Sequence, residues 1–251
     1  MKKKAIITLV LSLALLIVTT SSTKDSLTVD VEIDESIYVL INLRNMNSTI
    51  FDYVLLHESI FNGSTIPRLI VRDYQQKGLT RIFYYDQNQR FDFSTNSINV
   101  SFYLTGLDVL SFTFNRDVSA KIYQFQADWR KIYCNITDLN GETLLILDFN
   151  EYFGKPLDQW IIVEHIDLLG RSHTCLFYNH TNPADFEAAF RIILPEKATD
   201  VRYYSDTVIF SIPVSMEDYF INSPFLILIA IIGVDLAAII NRRISRMRSL
   251  A

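Results

Sequence analysis

Three of the four histidines, His165, His173 and His180, fall within sixteen residues, beside Glu164 and Cys175. Imidazole, carboxylate and thiolate are the usual ligands of zinc, so a metal site is the first chemistry to weigh. Strand parity governs it. If the runs 160–168 and 172–178 pair through a two-residue turn, His165 and His173 face opposite sides. Only an odd-length loop, such as Leu169-Gly170-Arg171, brings them to one face. His173 and Cys175 share a face, but a disulfide would consume Cys175. The expectation is therefore of ordinary histidines on a polar strand face, with His57 isolated from the rest and no metal.

Carboxylates offer the next chemistry. Asp30, Glu32 and Asp34 alternate along one strand face, where three oxygens suit calcium, but no D-x-D-x-D-G loop accompanies them. Charge protecting a solvated edge strand explains them better. Glu164 and Asp167 are a pair that a glycosidase could use, although spacing in sequence does not set the separation that reaction needs. Tyr84-Tyr85 and Tyr203-Tyr204 could stack on sugars, against the commoner role of packing. The chain contains no G-x-S-x-G, H-E-x-x-H, P-loop or dinucleotide fingerprint. No catalytic residue and no cofactor is expected.

The elements that position these residues read as β. Leu27, Val29, Val31 and Ile33 alternate with Thr28, Asp30 and Glu32. Similar runs follow at 36–43, 49–56, 67–73, 79–86, 90–94, 97–104, 107–114 and 118–126, then at 129–138, 142–149, 160–168, 172–178 and 205–214. Asn140-Gly141, between two such runs, is the strongest short hairpin signal. Thr181–Phe190 departs from the pattern: Asn182, Pro183 and the acidic residues after them predict one short helix. The fold class expected is an all-β, sandwich-like region of two modules, 24–116 and 117–219, with Asn115-Arg116-Asp117 as the boundary or else a hairpin turn. The hallmarks of an immunoglobulin domain are missing, because His173 stands where a tyrosine would precede Cys175.

Both ends of the chain are apolar with basic flanks. Lys2, Lys3 and Lys4, the run Ala5–Val18 and the small residues Thr19–Thr23 have the three parts of a secretory signal peptide, placed at 1–23. Phe220–Ile240 is mostly apolar, and at about 1.5 Å per residue its helix would span roughly 31 Å, the thickness of a bilayer core. Arg242, Arg243, Arg246 and Arg248 follow it as a cytoplasmic stop, giving a transmembrane helix at 220–241 and a basic tail at 242–251. The chain carries 23 Lys and Arg against 28 Asp and Glu. Seven of the basic residues flank the apolar ends and Asp235 lies within the second, so 24–219 holds sixteen against twenty-seven. That acidic region repels phosphate backbones and argues against nucleic acid as a partner.

An exported middle predicts two further features. Cys134 and Cys175 would both meet an oxidising compartment, and a disulfide between them is expected. Five sequons, at Asn47, Asn62, Asn99, Asn135 and Asn179, predict N-glycosylation, with all five side chains able to face solvent. Within the membrane segment, Asp235 is costly in lipid, with no Lys or Arg one turn on. Gly233 and Ala237 belong to a small-residue stripe suited to close helix packing, so these three residues are the expected contact with partner helices.

These readings predict a single-pass surface protein with its N-terminal region outside and its C-terminal tail in the cytoplasm. It would act in adhesion, in envelope structure or as an accessory subunit of a membrane complex, with the bilayer, other transmembrane helices, and a protein or glycan as partners. The alternative is a membrane-tethered hydrolase acting on carbohydrate.

Overall fold

A computed structural model describes residues 25–115, 117, 119–182 and 186–214, together with Leu228, Ile229, Ile231, Ile232 and Leu236. The signal peptide expected at 1–23, the residues Gly233, Asp235 and Ala237, the basic tail and most of the expected membrane helix lie outside the described residues. Among the described residues, no helix is long and apolar enough to cross a membrane.

The described chain is mostly β. Its strands are β1 (Asp25–Ile33), β2 (Ile37–Arg44), β3 (Phe83–Asp92), β4 (Ser97–Thr105), β5 (Leu110–Asn115), β6 (Ala120–Gln126) and β7 (Tyr133–Thr137). They continue with β8 (Thr143–Asp148), β9 (Ile161–Ile166), β10 (Ser172–Asn182), β11 (Phe186–Ile193), β12 (Thr199–Tyr204) and β13 (Thr207–Pro213). Three helices interrupt them: α1 (Ser48–Leu56), α2 (Thr65–Gln76) and α3 (Phe149–Phe153). A seven-stranded sheet has the order β3-β4-β2-β1-β11-β10-β9; a second sheet has the order β12-β13-β6-β5, and β7 and β8 form a ribbon.

The large sheet owes its inner face to the period of two. Leu27, Val29 and Val31 of β1, Val39 and Ile41 of β2, Val100 and Phe102 of β4, and Ala188, Phe190 and Ile192 of β11 are all fully buried. Removing one such aliphatic side chain from water stabilises by about 1.5–3 kcal/mol. Phe190 is the centre of an aromatic group, with ring centroids 5.5 Å from Trp129, 5.1 Å from Phe153 and 5.3 Å from Trp160. A single hydrophobic cluster takes in residues of all three sheets and of α1 and α2.

That topology corrects the expected two modules. β1 pairs in parallel with β11, Val29 opposite Phe190, so one sheet is built from both sides of position 116. Asn115 is opposite Ala120, and Asp117 N–H donates to Asn115 Oδ1 at 3.0 Å, which makes this stretch a hairpin turn. The turn after β4 needs glycine: Gly106 has φ +123°, and a Cβ there would run into the Arg81 carbonyl oxygen.

Helices stand where two strands were expected, at 49–56 and 67–73. Asn47 caps α1 by accepting from Thr49 N–H at 2.9 Å, and Phe51 and Val54 are its buried residues. In α2 the buried Ile66, Ile70 and Tyr74 recur every four residues, a helical spacing that its β-branched content hides. The reverse correction applies to the helix expected over Thr181–Phe190. Asn182 pairs with Phe186 and His180 with Ala188, so β10 and β11 form a hairpin there. Burial of Ala188, Phe190 and Ile192 on one face outweighs the local capping signals.

Candidate functional site

The two ends of the large sheet differ. β1 starts at Asp25, beside a cavity of about 220 Å³ lined by Arg44, Asn47, Leu145 and Tyr152 among others. It ends at Ile33, beside a larger cavity of about 380 Å³. With a rise of about 3.3 Å per residue, the nine residues of β1 separate these ends by roughly 26 Å. Ile212 of β13 lines the larger cavity, so the last described strand ends near it.

Its walls come from four places: Glu32 and Asp34 at the end of β1, His165, Asp167, Arg171 and His173 on the β9–β10 hairpin, the segment 193–197 at and beyond the end of β11, and Ile212 of β13. The hairpin connection 167–171 has five residues. Being odd, it puts His165 directly opposite His173 on one face. Asp167 builds the turn: Oδ1 accepts from Leu169 N–H and Arg171 N–H, both at 2.8 Å, and Oδ2 accepts from Arg171 Nε at 2.7 Å. Led by the backbone N–H of Arg171, these donors hold its carboxyl far below the usual range, against a smaller opposing effect of burial.

His173 joins the hairpin to the next segment. Its Nδ1 lies 3.0 Å from the Leu194 carbonyl oxygen and its Nε2 lies 3.4 Å from Asp167 Oδ2. Both nitrogens therefore face acceptors within the protein. His165 makes no hydrogen bond among the described residues, and it is the imidazole the cavity offers to a ligand. The lining mixes four carboxylates with Arg171 and Lys197, and contains no hydroxyl or thiol side chain. A triad built on a hydroxyl or thiol therefore has no nucleophile there, and the cavity presents charges of both signs.

The other expected site residues are dispersed. Among the described residues, no three His, Cys, Asp or Glu side chains come together to hold a metal. Asp30 is taken by Arg191, whose Nη2 donates to Oδ2 at 2.7 Å, leaving Glu32 and Asp34 at the cavity. Glu164 and Asp167 are not brought together: Glu164 is hydrogen-bonded to Ser172 on the opposite face of β9 from His165. His57 stacks on Tyr53 at 4.3 Å and His180 lies 6.0 Å from Tyr152, both away from the cavity. Tyr85 stacks on Tyr103, and Tyr38 lies tilted against Tyr103, each pair at 5.1 Å, forming a ladder on the outer face of the large sheet.

The expected disulfide is absent. Cys134 and Cys175 are free, buried thiols. Cys134 belongs to the hydrophobic cluster, whereas on β10 it is Leu176 that points into that cluster and Cys175 lies on the other face. The large sheet stands between the two sulfurs. Burial pushes both thiols up to about 11, partly opposed at Cys175 by Arg191.

Of the sequon asparagines, Asn47, Asn135 and Asn179 are exposed. Asn62 and Asn99 are half-buried, and Asn62 Nδ2, the atom a glycan would occupy, donates to the Glu58 carbonyl at 3.0 Å.

Sequence reasoning missed one buried charge. Arg130, wholly buried, donates from Nη1 to the Ala127 carbonyl at 3.1 Å and from Nη2 to that of Lys155 at 3.1 Å. Nη2 also lies 2.6 Å from Asp206 Oδ1, and the guanidinium stands 5.7 Å from the Trp160 ring. No spacing signal links Arg130 to a turn so far along the chain.

Comparison with protein-family models, curated proteins and solved structures gives no match for this chain.

Proposed function

We propose that this chain is a single-pass, membrane-anchored surface protein, its β region displayed outside as an adhesion, envelope or accessory-subunit module. One observation carries the reading. The chain comes in at Asp25, at one end of the large sheet, and leaves at Val214 near the other, with five residues before the apolar segment 220–240. A body threaded end to end in this way stands upright on a C-terminal anchor. The helical Leu228, Ile229, Ile231, Ile232 and Leu236 expose their apolar side chains, as an anchor would. The binding reading is preferred to a carbohydrate hydrolase because Glu164 and Asp167, the carboxylates expected to serve one, are engaged by Ser172 and Arg171 and do not converge.

Protease digestion of intact cells tests the topology: cleavage should remove epitopes within 25–214 and leave a tag after Ala251 untouched. Full protection of both would overturn the orientation. Asp235→Ala separates plain anchor from subunit. Loss of co-purifying membrane proteins supports the subunit role, and an unchanged set of partners refutes helix docking through Asp235, Gly233 and Ala237.

A further inference from the structure

The β9–β10 hairpin ends in an apolar point that the fold does not use. Leu168 and Leu169 are 106% and 78% exposed, and Ile166 beside them is 65% exposed. Two adjacent leucines in full contact with water are unusual at a turn, where polar residues and glycine serve the backbone as well. Here Asp167, by accepting from Leu169 N–H and Arg171 N–H, and Gly170, at φ +78°, supply the turn chemistry, so positions 168 and 169 have no structural need to be leucine. On the cavity side, Arg171 is paired with Asp167 at 2.7 Å, and Lys197 lines the same cavity with Glu32, Asp34 and Glu196.

Its location tells what it meets. Asp167 and Arg171 share a cavity with Ile212, two residues before the end of the described body at Val214. From Val214 five residues lead to Phe220, and even fully extended they reach roughly 17 Å. The hairpin tip is thus held at the end of the body that such a short tether keeps against the bilayer. Resting on the membrane anchorage proposed above, we infer that the Leu168–Leu169 tip is a second membrane contact, seated at the headgroup–acyl boundary of the leaflet that the anchor crosses. Exposed leucine side chains are the kind that insert at this boundary. A lone tether leaves the body free to swivel; a second contact sets its tilt and fixes which way the outer face of the large sheet looks.

The test uses the full-length chain reconstituted in vesicles of phosphatidylcholine with a fifth of phosphatidylserine. Leu169→Trp places a reporter at the tip, and the two native tryptophans, Trp129 and Trp160, are buried in the body and serve as internal background. Lipids brominated near the top of the acyl chain should cut the added fluorescence to about half. Ser48→Trp, beside Asn47 at the opposite end, should be unaffected. An unquenched Leu169→Trp in protein that remains membrane-integrated overturns the tip contact and leaves the anchorage standing. Quenching of both reporters also overturns it, since the body would then lie flat. Shielding of Leu169→Trp from aqueous iodide without quenching by brominated lipid would mean that protein covers the tip, and likewise refutes the inference. If the unmodified chain is extracted by carbonate, the anchorage reading fails first and this one with it.

Discussion

Arg130 and Asp206 meet at 2.6 Å between Nη2 and Oδ1, joining the 3-10 turn Asp128–Lys131 to the β12–β13 hairpin. Lys131 Nζ takes the second oxygen at 2.6 Å. The pair ties the smaller sheet to the aromatic group over β11. A buried pair of this kind adds little relative to well-packed apolar residues, but removing one partner strands the other charge. Asp206→Ala should therefore cost about 3–5 kcal/mol. The double variant Arg130→Met, Asp206→Ala should recover much of that loss, as chemical denaturation of the four members of the cycle would reveal. Equal losses in single and double variants would mean that Arg130 is held by its carbonyl partners and not by Asp206.

The same carboxylate sets an acid limit. Burial opposes ionisation of Asp206, but hydrogen bonds from Lys131 and Arg130 outweigh it and hold its carboxyl below the usual range. A depressed carboxylate contributes stability that is complete above its unfolded value, about 3.9, and is lost as pH falls through the folded one. Unfolding midpoints measured from pH 7 down to pH 3 should stay level to about pH 4 and then fall. The Asp206→Ala variant should lack that part of the decline.

Free thiols predict behaviour at the opposite limit. Both cysteines keep their protons to about pH 11 in the folded chain, against an ordinary value of 9.0. Groups raised in this way contribute stability below the unfolded value and lose it as pH rises through the folded one. Stability should accordingly decline between about pH 9 and 11, and Cys134→Ala, compared with its own value at pH 7, should decline less. A thiol reagent should find no reactive cysteine in the native chain and two in denaturant, with or without a reductant. Protection that persists in denaturant until reductant is added would contradict the free thiols.

His173 and His165, though directly opposite, should respond differently to substitution. His173→Ala removes the hydrogen bond to the Leu194 carbonyl and should cost about 1–2 kcal/mol, read from the denaturation midpoint. His165→Ala should leave stability nearly unchanged. Added zinc should raise the melting temperature of neither the parent chain nor the variants.

Expressed in a glycosylating host, the chain should carry glycans at Asn47, Asn135 and Asn179, and not at Asn62, whose amide is engaged with Glu58. Mass spectrometry after enzymatic deglycosylation in heavy-oxygen water would mark the sites used. Occupancy at Asn62 would show that the amide–Glu58 contact opens before modification.

Much of the strand pattern was readable, because Val29, Val39 and Val100 bury alternate positions of their strands and period two survives in the residue types. α1 and α2 were not, since Ile66, Ile70 and Tyr74 sit among β-branched neighbours and only packing against the sheet selects the helix. His165 opposite His173 was legible up to one unknown, the parity of the turn, which Asp167 decides by accepting three hydrogen bonds there. Arg130 with Asp206, and β1 with β11, join residues far apart in sequence, and nothing local marks such partners.

The parallel pairing of β1 with β11 has a consequence for how the body comes into being. Its first strand waits for almost its last, since Asp25 meets Phe186 and Glu32 meets Ile193. Until β11 arrives, one edge of β1 is an open template with bare N–H and C=O groups. Contacts this distant in sequence make folding slow, and a chain synthesised from its N-terminus holds its central strand in reserve throughout. Any truncation before Ile193 would strand β1 permanently and favour aggregation over partial function. The sheet can close only once the chain has been made as far as Ile193, with fifty-eight residues of the sequence still to come, so assembly is held back until late in synthesis.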